Sequence, residues 1–69
     1  MDRQQVTSRN LAEVGYDPSS ETLEVLFVSG GLYQYHNVPM FMYNRLMQAA
    51  SIGSFFNSEI KGRYPETRL

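Results

Sequence analysis

The chain has 69 residues, 42% of them hydrophobic, and it contains no cysteine. This length allows one small core, and the apolar content lies above that of disordered, charge-rich chains. Without cysteine, neither disulfides nor a thiolate metal site can stabilise the fold, so packing has to hold it. The net charge of −1 argues against strong sequence-independent binding to the phosphate backbone of nucleic acids. No stretch approaches the roughly 18 apolar residues that span a bilayer, so we expect one soluble, cytoplasmic domain over residues 1–69.

The first predicted strand covers residues 6–17, with an interruption near Arg9-Asn10. Side chains alternate across a strand, so this segment has two faces. One face carries Ala12, Val14 and Tyr16, and the other carries Leu11 and Glu13. Residues 1–5, which precede the strand, are polar and are expected to fray, as unanchored termini do.

The second predicted strand covers residues 22–28 and follows a turn at Asp17-Pro18. Its residues are mostly β-branched, aromatic or aliphatic, and Glu24 points outward. The next strand contains Tyr33 and Tyr35, whose rings lie on one face because they are two residues apart. Three strands joined by short turns predict an antiparallel meander.

Two registers compete for the hairpin at Ser29-Gly30-Gly31. A two-residue glycine loop pairs Val28 with Tyr33, whereas a three-residue loop pairs Val28 with Leu32 and Phe27 with Tyr33. We favour the three-residue loop, with Gly31 in the left-handed position, because a slip by one residue would send half of an apolar set to solvent. That set is Leu23, Val25, Phe27, Tyr33 and Tyr35.

Two helices are predicted after the strands. Pro39 is suited to a first helical position, and apolar residues recur at helical spacing from Met40 to Ala50. Gly53 is expected to end this helix and Ser54 to cap a short second helix over residues 55–61, with Phe56 and Ile60 buried. Tyr64-Pro65 cannot continue a helix, so residues 66–69 are expected to form a frayed tail. The fold class is therefore α+β: a three-stranded antiparallel meander with one longer and one shorter C-terminal helix packed on one face.

The sequence contains no recognisable catalytic constellation. His36 is the only histidine, and there is no nucleophile elbow, phosphate loop or pair of metal-binding histidines. The carboxylates Asp17, Glu21 and Glu24 lie close together, but a solvated turn carries such charges routinely. We therefore expect a non-enzymatic protein with no catalytic residues, cofactor, metal or small-molecule substrate, and no contact with a membrane.

Aromatic residues interleaved with basic ones are the clearest functional signal, because single-stranded nucleic acid is held by ring stacking and positive charge. The candidate RNA-binding residues are Arg45, Lys61, Arg63, Tyr64 and Arg68. Tyr33 and Tyr35 could also stack on bases, but their face carries enough apolar surface that we expect the helices to cover it.

The other face of the sheet offers a second hypothesis. Leu26, Val28 and Leu32 would be neighbours across the hairpin and could form an apolar patch. Such a patch predicts a protein-interaction or self-association module whose partner is another protein or a second copy of the chain.

The order of these features resembles that of the KTSC domain. The resemblance extends from about residue 6 to residue 69, and Tyr33-Gln34-Tyr35 followed by Val38-Pro39 is its clearest mark. Further matching segments are Val14-Gly15-Tyr16-Asp17, Leu23-Glu24-Val25, Ser51-Ile52-Gly53-Ser54-Phe55-Phe56-Asn57 and Tyr64-Pro65. That family is named for a segment at the C-terminus of some lysyl-tRNA synthetases and also occurs as short stand-alone bacterial and phage proteins. The resemblance implies no established activity and no catalytic residues, while the association with the synthetases points to RNA.

Overall fold

The computed structural model describes residues 1–69 and shows a five-stranded antiparallel sheet with two helices on one face. The elements in chain order are β1 (Arg3–Gln5), β2 (Leu11–Asp17), β3 (Thr22–Phe27), β4 (Leu32–Tyr35), α1 (Met40–Gln48), α2 (Ile52–Glu59) and β5 (Glu66–Arg68). The strands lie side by side in the same order as in the chain. The α+β class and the antiparallel meander are confirmed, but the predicted number of three strands is wrong.

The two additional strands come from the termini that were expected to fray. In β1, Arg3 pairs with Gly15 of β2, and in β5, Arg68 pairs with Tyr33 of β4. Each of these strands has only three residues, all exposed, so neither carries the alternation of apolar and polar residues that identifies a strand in sequence. Their pairing depends on the free edges of β2 and β4, which no local pattern reveals.

A β-bulge in β2 changes which side chains face the helices. Leu11 is opposite Phe27 while Glu13 is opposite Leu26, so Ala12 is an extra residue on one strand. The prediction placed Leu11 on the face away from Val14, but the bulge brings both onto the helix-covered face, and Leu11 is only 1% exposed. We call this helix-covered side of the sheet the core face and the opposite side the outer face.

The β3–β4 hairpin has a three-residue loop, as predicted, but one position earlier. Phe27 N–H donates to the Gly31 carbonyl at 2.8 Å, which closes a loop of residues 28–30, and Gly30 rather than Gly31 has the positive φ, at 106°. Leu26 therefore pairs with Leu32, and Val25 with Tyr33. The predicted pairs of Val28 with Leu32 and of Phe27 with Tyr33 are wrong by two residues; because two is a full side-chain period, the predicted faces are unchanged.

The two helices begin and end at other residues than predicted. Pro39 is the N-cap of α1 rather than its first residue, and the chain is already extended at Ala49. The cap of α2 is Ser51, whose hydroxyl accepts from the Ser54 N–H at 3.3 Å, so Ser54 is not the cap and Gly53 lies within the first turn. With nine and eight residues, the helices are nearly equal in length.

The core lies between the sheet and both helices. Its ten buried apolar residues are Leu11, Val14, Leu23, Val25, Tyr35, Val38, Met42, Leu46, Phe56 and Ile60. The predicted burial of Phe56 and Ile60 is confirmed. At one end of the core, Tyr16 stacks on Tyr43 of α1 with the ring centroids 4.7 Å apart.

Candidate functional site

The two tyrosines at the centre of the sequence pattern have different environments. Tyr35 is 1% exposed, and its ring packs edge-to-face on Phe56 with the centroids 5.2 Å apart. Its hydroxyl donates to Glu66 at 2.7 Å. Tyr33 is only half-buried and stands edge-to-face with Phe27, its ring centroid 5.4 Å away. The helices therefore cover Tyr35, whereas part of the Tyr33 ring can meet a ligand.

Three clefts join into one groove beside this ring. The first, of about 530 Å³, lies between the β1–β2 loop and the start of α2. It shares Arg9, Asn10 and Asn57 with a second cleft of about 510 Å³. The second shares Phe27, Ser29 and Lys61 with a third of about 320 Å³, which reaches Tyr33. We call the three together the groove.

Local contacts hold the walls of the groove in place. The Ser8 hydroxyl accepts from the N–H groups of Asn10 and Leu11 at 3.2 and 3.3 Å, which fixes the turn between β1 and β2. A Cβ on Gly53 would lie 3.2 Å from the Ser8 Oγ, so glycine at this position lets α2 approach the turn closely. The groove is thus formed by backbone segments that are distant in sequence.

The cations around the groove are Arg9, Lys61 and Arg68. Arg9 lines the first two clefts and Lys61 the second and third. The Arg68 guanidinium carbon lies 5.6 Å from the Tyr33 ring centroid, a cation–π distance. Arg9 was absent from the predicted site because it lies far from the C-terminal basic residues in sequence. The only sequence signal that points to Arg9 as a groove residue is its position in the Ser8-Arg9-Asn10 segment, where the first predicted strand is interrupted.

The structure divides the predicted nucleic-acid site. Lys61 lines the groove and Arg68 borders it at Tyr33, whereas the three other predicted residues line none of the clefts. Arg45 lies over the Phe55 ring, with its guanidinium carbon 5.2 Å from the centroid. The Arg63 Nε donates to the Ser58 carbonyl at 2.9 Å, and Tyr64 packs against the core.

The outer face has a polar centre. Glu24 is only 6% exposed there, and its carboxylate accepts from Arg3 at 2.6 Å and from Gln34 at 2.9 Å. Arg3 also contacts Glu13 at 2.8 Å. Burial raises the pKa of Glu24, but the hydrogen bonds from Gln34 and Arg3, together with the positive charges of Arg3 and the N-terminus, outweigh burial and lower the pKa overall. The outward direction predicted for Glu24 is right, yet the N-terminal segment covers it.

The apolar part of the outer face lies at the β3–β4 hairpin end. Leu26 and Leu32 face each other there and are half-buried. The Leu69 N–H donates to the Leu32 carbonyl at 2.8 Å, so Leu69 extends the row across β5. Val28 lies instead in the hairpin loop and is 59% exposed. The predicted patch of Leu26, Val28 and Leu32 is thus replaced by a leucine row of Leu26, Leu32 and Leu69.

His36, the only histidine, lies beyond the end of β4, and its Nε2 is 2.8 Å from the Thr67 hydroxyl. No cluster of three or more histidine and carboxylate side chains is arranged to hold a metal ion. No helix of the structure is both long and apolar enough to cross a bilayer.

The family model described as KTSC domain matches residues 7–64, which include β2 to α2 and every groove-lining residue except Glu66. The chain belongs to the KTSC domain family. The crystal structure of a KTSC domain protein from Yersinia pestis superimposes on this KTSC domain with a TM-score of 0.96 and 38% identity. That likeness covers 99% of this chain and 96% of the other, so the terminal strands β1 and β5 lie within a shared architecture.

Sequence relatives of this KTSC domain are of two kinds. An uncharacterized protein of Stutzerimonas stutzeri is 41% identical over 64 residues, which cover 93% of this chain and 90% of that protein. A lysine–tRNA ligase of Nostoc sp. is 37% identical over 54 residues, which cover 78% of this chain but only 10% of the ligase. A domain of this kind thus occurs both as a short bacterial protein and as a small part of a much larger one.

Proposed function

We propose that this KTSC domain is a non-enzymatic, cytoplasmic module that binds single-stranded RNA in the groove. One observation carries the proposal: Lys61 lines the same cleft as the half-buried Tyr33, and the Arg68 guanidinium carbon lies 5.6 Å from the centroid of the Tyr33 ring. Positive charge next to an accessible ring is what single strands require, because phosphates need cations and bases need a stacking surface.

The shape and lining of the groove support a strand rather than a compact ligand. The three clefts follow one another from the β1–β2 turn to β5, with Arg9 where the first cleft meets the second and Arg68 beside the third. The walls of the first two clefts carry hydroxyl and amide side chains that can donate to phosphate and ribose oxygens: Ser8, Asn10, Ser29 and Asn57. The net charge of −1 is compatible with a local basic arrangement, since Glu13 and Glu24 lie on the outer face and Glu66 is the one carboxylate that lines the groove.

The relatives supply a second line of support. A segment similar to this domain is part of lysine–tRNA ligases in Nostoc sp. and Trichormus variabilis. An appended domain that contacts RNA would suit an enzyme that acts on tRNA. For the present chain we propose binding to single-stranded RNA in general and not to a particular tRNA.

Reversal of the groove charges should weaken RNA binding strongly. We expect the double variant Lys61→Glu and Arg68→Glu to bind a mixed-sequence single-stranded RNA at least about tenfold more weakly than the parent at low salt, because two cations of the groove are replaced by carboxylates. Arg45→Glu with Arg63→Glu is the matched control: it changes the net charge equally but lies outside the groove. For the parent, the logarithm of affinity should fall as the logarithm of salt concentration rises, with a slope of about −0.7 for each phosphate that a cation of the groove contacts.

Fluorescence anisotropy of labelled RNA measures both quantities, and thermal melts confirm that every variant is folded. Equal losses in the two double variants would show that only net charge matters and that the groove is not the site. No binding by the parent at low salt would exclude the RNA proposal altogether.

Self-association through the outer face is the second candidate, and the leucine row supports it. In a two-fold symmetric dimer the same patch of both copies meets, and three leucines side by side on one face provide an apolar patch for such a contact. We expect Leu69→Lys to convert a dimer into a folded monomer, because the charge would need desolvation in the interface. Val28→Lys, an equally exposed site in the hairpin loop, is the control that should leave a dimer intact. Sedimentation of the parent as a monomer at high concentration would rule this candidate out.

A further inference from the structure

The cleft at the β4–β5 end of the groove has a lining unlike the rest. It encloses about 320 Å³, near the lower limit of about 300 Å³ for small-ligand sites. Its walls combine three aromatic rings, two of them phenols, with one carboxylate, one ammonium and one serine hydroxyl: Phe27, Tyr33, Tyr35, Glu66, Lys61 and Ser29. Other parts of the groove carry hydroxyls and amides, which suit phosphate and ribose, whereas this cleft combines aromatic rings with a carboxylate acceptor.

The Glu66 carboxylate is held in place by the buried Tyr35. The Tyr35 hydroxyl donates to Glu66 Oε1 at 2.7 Å, and burial, reinforced by the carboxylate, raises the pKa of Tyr35, so this hydroxyl keeps its proton and remains a donor. Glu66 also pairs with Tyr35 in the β4–β5 ladder, which fixes its backbone. Oε2 has no hydrogen-bond partner within the chain and Oε1 keeps a second lone pair, so both oxygens of this cleft-lining carboxylate can accept further hydrogen bonds.

An ionised carboxylate only accepts hydrogen bonds, so it selects among bases by their donors. Guanine presents two adjacent donors on its Watson–Crick edge, N1–H and the N2 amino group, which match the two oxygens of a carboxylate. Adenine and cytosine present one amino group beside a ring-nitrogen acceptor, and uracil presents one N–H between two carbonyls. Guanine also has the O6 and N7 acceptors that a lysine ammonium contacts, and Lys61 lines the same cleft.

We propose that this cleft is a guanine-selective base subsite, with Glu66 reading the N1–H and N2 amino group, Lys61 facing O6 or N7, and Tyr33 with Arg68 supplying the stacking surface. The inference rests on the proposed RNA-binding function and adds a sequence preference to it. A base that enters the cleft leaves its phosphates towards the rest of the groove, where Arg9 and the hydroxyl side chains lie.

Four RNAs that differ in one central base test the subsite: UUGUU, UUIUU, UUAUU and UUUUU. Inosine retains N1–H, O6 and N7 but lacks the N2 amino group. We expect the parent to bind UUGUU about tenfold more tightly than UUAUU or UUUUU, in the range of a bidentate base contact, with UUIUU in between. Fluorescence anisotropy at one fixed low salt concentration measures the four affinities.

Glu66→Gln should remove the preference for guanine without weakening binding of UUUUU, because an amide can accept only through its oxygen and places donors opposite donors. Glu59→Gln is the matched control, since it removes the same charge from α2 outside the groove. Thermal melts of both variants show whether the fold is retained. Tyr35→Phe keeps the ring but removes the hydrogen bond to Glu66, so it should reduce the preference for guanine without abolishing it. This partial effect would show that Tyr35 positions Glu66, whereas Glu66 itself contacts the base.

The possible outcomes test the guanine subsite and the RNA-binding proposal separately. RNA binding with equal affinity for all four oligonucleotides would overturn the subsite and leave the RNA-binding proposal standing. A guanine preference that survives Glu66→Gln would likewise overturn it, because another group would then be reading the base. Failure of every RNA to bind would remove the RNA-binding proposal, and the subsite with it.

Discussion

Replacing Tyr35 with alanine is expected to reduce the free energy of unfolding by about 3 to 5 kcal/mol, the usual cost of deleting a buried aromatic ring. Tyr35 is among the largest fully buried side chains, and it packs on Phe56 across the interface between sheet and helices. A small domain has a total stability near the lower end of about 5 to 15 kcal/mol, so the variant should be largely unfolded at moderate temperature. Urea denaturation followed by circular dichroism measures the effect.

Tyr35→Phe is the matched control, because it retains the ring and removes only the hydroxyl that donates to Glu66. We expect a loss of about 1 kcal/mol for this single hydrogen bond. The two variants together separate ring packing from hydrogen bonding. A Tyr35→Ala protein that melts within a few degrees of the parent would show that the ring is not part of the core and that Tyr35 is free to stack on a ligand.

Gly15→Val is expected to detach β1 from the sheet and to reduce the free energy of unfolding by about 1 to 3 kcal/mol, as overpacking does. A Cβ at this position would lie 2.6 Å from the Asp2 carbonyl oxygen and 2.9 Å from Arg3 Cγ, so the N-terminal segment would have to move. Its displacement would break the contacts of Arg3 with Glu13 and Glu24. Hydrogen exchange should show lost protection in β1 and at the Val6 amide, which donates to Ala12 at 3.1 Å.

Deletion of residues 1–5 provides the control for Gly15→Val. In the shortened chain the atoms that the new Cβ would meet are absent, so the substitution should cost much less there than in the full chain, a direct measure of coupling. Equal costs in both backgrounds would mean that the N-terminal segment does not lie on Gly15. Such a result would also contradict the burial of Glu24 under the N-terminal segment.

The same variants report on the ionisation of Glu24. Because the pKa of Glu24 is lowered in the folded protein, its stabilising contribution is present at neutral pH and is lost as the pH falls through that lowered value. Gly15→Val removes the Arg3 contacts and so part of this contribution. The variant should therefore lose less stability than the parent when both are acidified.

Local patterns in the sequence correctly predicted the central part of the fold. The alternation of apolar residues from Leu23 to Tyr35 gave the correct faces of β3 and β4 even though the register was wrong by two residues, since a shift of two returns each side chain to its face. Helical spacing located both helices to within a few residues, and Phe56 and Ile60 are buried as expected. The cap residues were misassigned because several serines and a glycine near residue 53 fit the same preferences.

The candidate site was predicted only in part. Lys61 and Arg68 were in the predicted set, whereas Arg9 was not, and Arg45 and Arg63 lie away from the groove. Two basic residues that are close in sequence can lie on different surfaces, because the helix or turn that carries each residue sets the direction of its side chain. The pairing of Glu66 with Tyr35 depends on β5, which was expected to be a frayed tail.

The sequence by itself determined the α+β class, the order of β2, β3 and β4, and the burial of one aromatic face, because side-chain periodicity and turn residues act over a few positions. Only the tertiary structure decided the strands β1 and β5, the bulge that buries Leu11, the covering of Glu24 and the assembly of the groove. These features all depend on contacts between residues far apart in the chain. The strands β1 and β5 pair with the edges of β2 and β4, whose backbone groups would otherwise lack partners in the sheet. Gly15 lets the N-terminal segment lie close to β2, and Gly53 lets α2 lie close to the β1–β2 turn. These edges and contacts exist only once the sheet and the helices have packed.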